Sequence, residues 1–329
     1  MAKIPEISDL FLAAADIEVE TPITVGVDKV SSDGRFLVPQ FAKTRAWDAW
    51  ADSFPIKEMR RLNFSLPNAA STAEAVLKFF GVSSPDAWQA SWGEFAVQYR
   101  QTQKFEIRRL ALAAWVREAE IIAKQIALEE YNEAELLASL DELRRLTSGD
   151  VQKGLDRAQA ICSRFGVALV VVPELPGTRI SGCARWIDDR HAMVGLTLRY
   201  KWADQLWFTF FHELAHILLH RTLRMFVVDN AADQMGDKVV DPDMVKYEEE
   251  ADRFAADTLI PPDALATLLR RAAKGLTNDE YNDAIHDLAN SLGIGPGIVV
   301  GRLQHDKVLK PSQGTRLKQK LDWGFVTED

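Results

Sequence analysis

The sequence has little cysteine: Cys162 and Cys183 are the only two in 329 residues. Two thiols cannot staple a small secreted scaffold, so folding must rest on a packed core. Positive charge is also short. The 39 Lys and Arg stand against 48 Asp and Glu, a formal net charge of −9, whereas a protein that tracks phosphate backbones needs a basic face. Direct nucleic-acid binding is therefore not expected, and Arg302, Lys307, Lys310, Arg316, Lys318 and Lys320 read as a solvated basic stretch. No apolar run is long enough to span a bilayer and no signal peptide opens the sequence, which leads us to expect a soluble, cytoplasmic protein without a membrane role. Internal repeats and low-complexity tracts are missing as well. What is present is 47% hydrophobic content over a length that can hold two domains, each with its own core.

Residues 1–44 carry the alternating apolar pattern of a hairpin. Ile17, Val19, Ile23, Val25 and Val27 fall on alternate positions, Pro22 suggests an edge, and Ser31-Ser32-Asp33-Gly34 marks a turn. The spacing then becomes helical over 47–62, Thr72–Phe80, 105–128 and 132–145, so residues 45–146 read as a mostly helical domain suited to holding a partner. Thr147-Ser148-Gly149-Asp150 breaks that pattern and marks the expected boundary of a third segment, 147–329. Strands return there: Val167–Val172 is a short apolar run, 184–187 and 192–198 flank a turn at 188–191, and a helix starts near Lys201. The expected fold class is α+β, with a strand layer beside an active-site helix.

Residues 208–220 read Phe-Thr-Phe-Phe-His-Glu-Leu-Ala-His-Ile-Leu-Leu-His. His212 and His216 are four positions apart, just over one helical turn. On a helix both imidazoles project from one face and can hold one metal ion, with Glu213 placed to take a proton from water. Zn2+ suits such a pair, since a catalytic zinc needs three protein ligands and one open position. Trp207, Phe211, Leu214 and Leu218 recur at helical spacing beside the histidines, as in a helix buried along one side. Two ordinary core histidines would leave Glu213 an unpaired acid in an apolar segment, which is costly.

The third ligand has to come from elsewhere, because Leu219 and Thr222 replace the glycine and histidine with which metzincins continue the motif. Residues 246–262 read as an acidic helix start running into an amphipathic pattern and stopped by Pro261 and Pro262. Within them Glu248-Glu249-Glu250-Ala251-Asp252 resembles the E-x-x-A-D signature of gluzincin peptidases. That resemblance implies Glu248 as the third ligand and Asp252 as the hydrogen-bond partner of a ligand histidine. Glu250 is the alternative ligand. It lies roughly 200° round a helix from Glu248, so the two cannot share one role, and carboxylates not used by the metal would form a solvated first turn favoured by the helix dipole.

From about Thr147 to Asp306 the chain resembles the ImmA/IrrE family of bacterial metallopeptidases, in particular its HigA-like, XRE-associated branch. The likeness is carried by Val-Pro-Glu-Leu-Pro-Gly-Thr-Arg-Ile-Ser-Gly at 172–182, Leu-Thr-Leu-Arg-Tyr-Lys at 196–201, the His212 motif, and Gly-Ile-Gly-Pro-Gly-Ile-Val-Val-Gly-Arg-Leu-Gln-His-Asp at 293–306. The resemblance implies a gluzincin-like domain and an intracellular zinc endopeptidase. Its substrate would be a regulatory protein, such as a DNA-binding repressor or a toxin–antitoxin partner, in a stress, mobile-element or anti-phage response. Members of that branch commonly begin with a helix-turn-helix; residues 1–45 do not read as one, so DNA binding is not carried over. The other reading is a non-catalytic, antitoxin-like regulator that uses the zincin fold to bind a partner.

Other residues invite roles around such a centre. His220, one turn beyond His216, could orient a ligand, donate into the cleft or simply pack; Tyr200 and His191 are candidates for stabilising an oxyanion. Cys183 could place a thiolate on zinc or be a small buried residue. Residues 230–243 lack periodicity and could form a lid or a plain connector.

Overall fold

The computed structural model describes residues 45–92, 109–197, 199, 201–221, 225–229, 242–273 and 277–321. The hairpin expected within 1–44, Tyr200, and all but the end of the 230–243 segment lie outside the described residues. The chain divides into two compact units: residues 1–56 with 65–95, and residues 57–64 with 96–329.

The first helices are α1 (Arg45–Ala51), α2 (Ile56–Arg61), α3 (Thr72–Phe80) and α4 (Pro85–Trp92). The single helix expected over 47–62 is broken ahead of Pro55, whose ring removes a backbone donor and clashes with a preceding turn. The limits of α3 follow from its caps: Ser71 Oγ accepts from Glu74 N at 3.2 Å, and Gly81 closes the helix at φ 70°. In the first unit Phe54, Phe80 and Trp88 form an aromatic core, with centroids 5.4 to 5.7 Å apart and Trp88 edge-on to both phenylalanines.

The second unit continues with α5 (Arg109–Ala123), α6 (Glu133–Ala138), α7 (Leu140–Arg145) and α8 (Val151–Ser163). Strands β1 (Val167–Val172), β2 (Ile180–Trp186) and β3 (Ala192–Thr197) follow, then α9 (Ala203–Leu219) and β4 (Met225–Asp229). Helices α10 (Pro242–Leu259), α11 (Pro262–Ala272), α12 (Asn278–Leu292) and α13 (Pro296–His305) complete it. The sheet order is β1-β3-β2-β4, with β1 parallel to β3 and the other pairs antiparallel. The architecture is α+β. Among the described residues no helix is long and apolar enough to cross a membrane.

Neighbouring residues of a strand point to opposite faces, and β2 shows what covers each. A methyl added at Gly182 would lie 2.6 Å from Glu213 Oε1 and 2.9 Å from Thr209 Cγ2, both on α9. Cys183 pairs with Gly195, where a methyl would lie 3.0 Å from Cys183 Sγ and 3.1 Å from the Trp115 ring of α5. The sheet is therefore sandwiched between α9 and α5, which is why its strands are apolar almost continuously. Trp115, fully buried, also donates its indole N–H to Val172 O at 3.2 Å.

This sandwich changes the reading of two regions. Helix α5 was expected in a helical domain ending at 146, but it is a layer of the sheet unit; Asp150 accepts from Lys153 N at 2.9 Å and merely caps α8. Amphipathic spacing specifies an apolar face, not the layer that face will cover. Cys183 faces α5, away from α9, and burial pushes its thiol well above the usual range, so it is not a thiolate ligand.

Candidate metal centre

The start of α9 is pinned by the C-terminal stretch. Ala203 N donates to Gln319 O and Leu321 N to Lys201 O, each at 2.9 Å. Asp204, buried in the first turn, is held by Lys318 Nζ at 2.7 Å, and Gly301 of α13 leaves room for it, since a methyl there would lie 2.6 Å from Asp204 Oδ2. Beyond that turn Trp207, Phe210, Phe211 and Leu214 are all fully buried. The helix is thus fixed in rotation and depth, and its histidines meet α10.

Three donor atoms converge between the two helices. His212 Nε2 lies 3.0 Å from His216 Nε2 and 3.2 Å from Glu248 Oε2, and His216 Nε2 lies 3.5 Å from Glu248 Oε1. His212, His216 and Glu248 are the three-residue group that could hold a metal ion among the described residues. Ligands about 2.0 to 2.1 Å from a tetrahedral zinc are about 3.3 Å from one another, so the donor set and its spacing fit that ion. Both histidines are buried and Glu248 is only partly so, which makes the α10 side the more accessible one among the described residues.

The ligands are themselves held. His212 Nδ1–H donates to Asp252 Oδ1 at 2.8 Å, from one turn beyond Glu248 on the same face of α10. His216 Nδ1 lies 3.1 Å from His220 Nδ1, and His220 Nε2 lies 2.9 Å from Glu250 Oε2. Glu250, the alternative ligand, is therefore on His220 and not in the donor triad, as its position across the helix from Glu248 requires. Burial alone would lower the His212 pKa, but hydrogen bonds to Asp252 and Glu248, with the charges of Glu213 and Glu248, raise it to about 10. Burial and the two neighbouring imidazoles pull His216 down to about 2.

Glu213 has no exposed surface, and neither carboxyl oxygen has a hydrogen-bond partner among the described residues. Burial pushes its pKa well up, Glu248 adds to the rise and His212 opposes it. A cation on the donor triad would reverse part of that shift. An unpartnered buried acid is costly unless something polar reaches it, and here the acid lies against Gly182 and feels the charge of His212. Gly182 is the residue that sequence reasoning passed over. The strand begins at Ile180, earlier than the expected 184, and so takes in Gly182; a glycine within a strand marks a close approach by another group.

The structure does not bring every candidate here. His191 lies in the β2–β3 turn, where its Nδ1 is 2.8 Å from Asp188 Oδ2. That turn begins beyond Trp186, itself about 13 Å along the strand from Gly182 at roughly 3.3 Å per residue, so His191 is no oxyanion donor at this centre. His220 belongs to the centre through His216, and Tyr200 lies outside the described residues.

No curated protein matches the chain. Residues 196–304, from β3 into α13, match the family model described as the IrrE N-terminal-like domain, Peptidase_M78, and that span contains His212, Glu213, His216, His220, Glu248, Glu250 and Asp252. Over that span the chain is similar to the metallopeptidase domain of the ImmA/IrrE family.

Proposed function

We propose that this protein is a zinc-dependent endopeptidase of gluzincin type that cuts a regulatory protein. The observation that carries the reading is the tetrahedrally spaced triad His212, His216 and Glu248 beside Glu213, whose carboxyl oxygens accept no hydrogen bond among the described residues. Zinc held by the triad supplies a Lewis acid that acidifies water and polarises a peptide carbonyl. Glu213 accepts the proton of the attacking water and returns it to the nitrogen of the leaving peptide. Asp252 keeps the His212 Nδ1 proton in place, so that its Nε2 lone pair stays available.

The sheet offers a way to hold the substrate. Gly182, against Glu213, pairs with Val228 of β4, the edge strand on that side among the described residues. An extended peptide added to β4 would receive main-chain hydrogen bonds one strand away from the proton acceptor. The net charge of −9 favours a substrate with a basic surface, such as a DNA-binding repressor or a toxin–antitoxin partner.

The test is Glu213→Gln, which removes the base and no ligand. Zinc content and folding should persist while peptide cleavage falls by about a hundredfold or more, and the cellular function should fall with it. Full complementation of a deletion by Glu213→Gln would replace the peptidase with a regulator that acts by binding alone.

A further inference from the structure

We infer that Glu250 and His220 form a clamp that selects which nitrogen of His216 faces the metal, making His220 a positioning residue of the centre. The inference rests on the zinc reading above. A carboxylate offers lone pairs only, so the 2.9 Å contact places a hydrogen on His220 Nε2. In the neutral ring, Nδ1 is then the acceptor. It lies 3.1 Å from His216 Nδ1, which must therefore carry the donated hydrogen. What remains on His216 is the Nε2 lone pair, and it points to His212 Nε2 and Glu248 Oε1 at 3.0 and 3.5 Å. Each contact in the chain fixes the next, starting from a group that can only accept.

The two ligand histidines are thus oriented by different devices drawn from one helix. Asp252 lies on the face of α10 that bears Glu248 and reaches His212 directly at 2.8 Å. Glu250 lies on the other side and contacts His220, the residue that caps α9 one turn past His216. A single imidazole spans the difference, and His216 and His220 are both buried. His220 also packs against Tyr247, with ring centroids 4.7 Å apart, so a purely space-filling role is the competing explanation.

Three variants of the full-length protein separate the two. His220→Phe keeps the ring volume and the Tyr247 contact but offers no acceptor; zinc affinity, measured by chelator competition, should fall about 10- to 100-fold. His220→Asn places a carbonyl oxygen near the lost Nδ1 and should recover part of that loss despite filling less space. Glu250→Ala, which frees His220 to change tautomer, should weaken zinc binding in the same direction. Nitrogen-15 NMR of histidine-labelled protein reads the tautomer directly, and His216 should be protonated at Nδ1 in the metal-free wild-type chain. Wild-type zinc affinity in His220→Phe, or His216 protonated at Nε2 alone, would overturn the clamp. If the wild-type chain took up no zinc while His216 stayed protonated at Nδ1, the zinc reading would fail, while the hydrogen-bond chain from Glu250 would still be shown to set the His216 tautomer.

Discussion

Glu213 and the two imidazoles share a site in which few protons are free to move, and the residues decide where those protons sit. At neutral pH His212, raised to about 10, carries one more proton than a metal ligand can keep, while His216, lowered to about 2, carries no excess. Zinc must therefore displace a proton from His212 on binding. Calorimetric zinc titrations at pH 7 in buffers of different ionisation enthalpy should show about one proton released per metal, and the affinity should weaken as pH falls. Stability follows with a defined sign. A histidine raised from 6.5 to about 10 stabilises the metal-free fold fully below pH 6.5, and that contribution is lost as pH rises towards 10. The zinc-loaded protein should lack this His212-linked loss across the same window. Proton release near zero would mean that His212 is not a ligand.

At the scale of elements, sequence showed the chemistry better than the layers. The His212 to His216 spacing and the E-x-x-A-D pattern give the relative directions of their residues because each pattern lies on one helix, where 3.6 residues per turn fixes them. Thr72–Phe80 was readable to the residue because Ser71 and Gly81 cap it. The His220–Glu250 contact was not readable, since it depends on the depth at which α9 crosses α10. Nor was the place of α5, because its apolar face could have covered another helix as well as a sheet. That error has a measurable consequence. A fragment beginning at Thr147 would strip Trp115 and the rest of α5 from the sheet and expose the face around Cys183 and Gly195. A fragment beginning at Arg109 keeps that layer. The shorter fragment should aggregate or bind the apolar dye ANS, and the longer one should stay soluble and take up zinc; equal behaviour would mean that α5 is dispensable to the sheet. Trp115→Ala in the full chain should report the same packing at a cost of about 3 to 5 kcal/mol.

The whole molecule raises the question of selectivity. An edge strand binds extended peptides through the main chain, with little regard to side chains, so a peptidase built on β4 alone would be promiscuous. We propose that the unit around α1, α3 and α4 docks one regulatory protein and raises the local concentration of its scissile segment. Tethering of that kind reaches effective concentrations in the millimolar range. An acidic chain favours a basic partner, and attraction between opposite charges mainly speeds encounter, so cleavage should slow as salt rises. Comparing new protein N-termini in cells that express the wild-type chain or Glu213→Gln should then reveal one or a few cleaved proteins. With that substrate in hand, the fragment from Arg109 should bind zinc yet cut it far more slowly than the full chain does, and the full chain should leave casein largely intact. Rapid casein digestion by the full chain would refute targeted docking. A fragment as fast as the full chain would assign the N-terminal unit a different task.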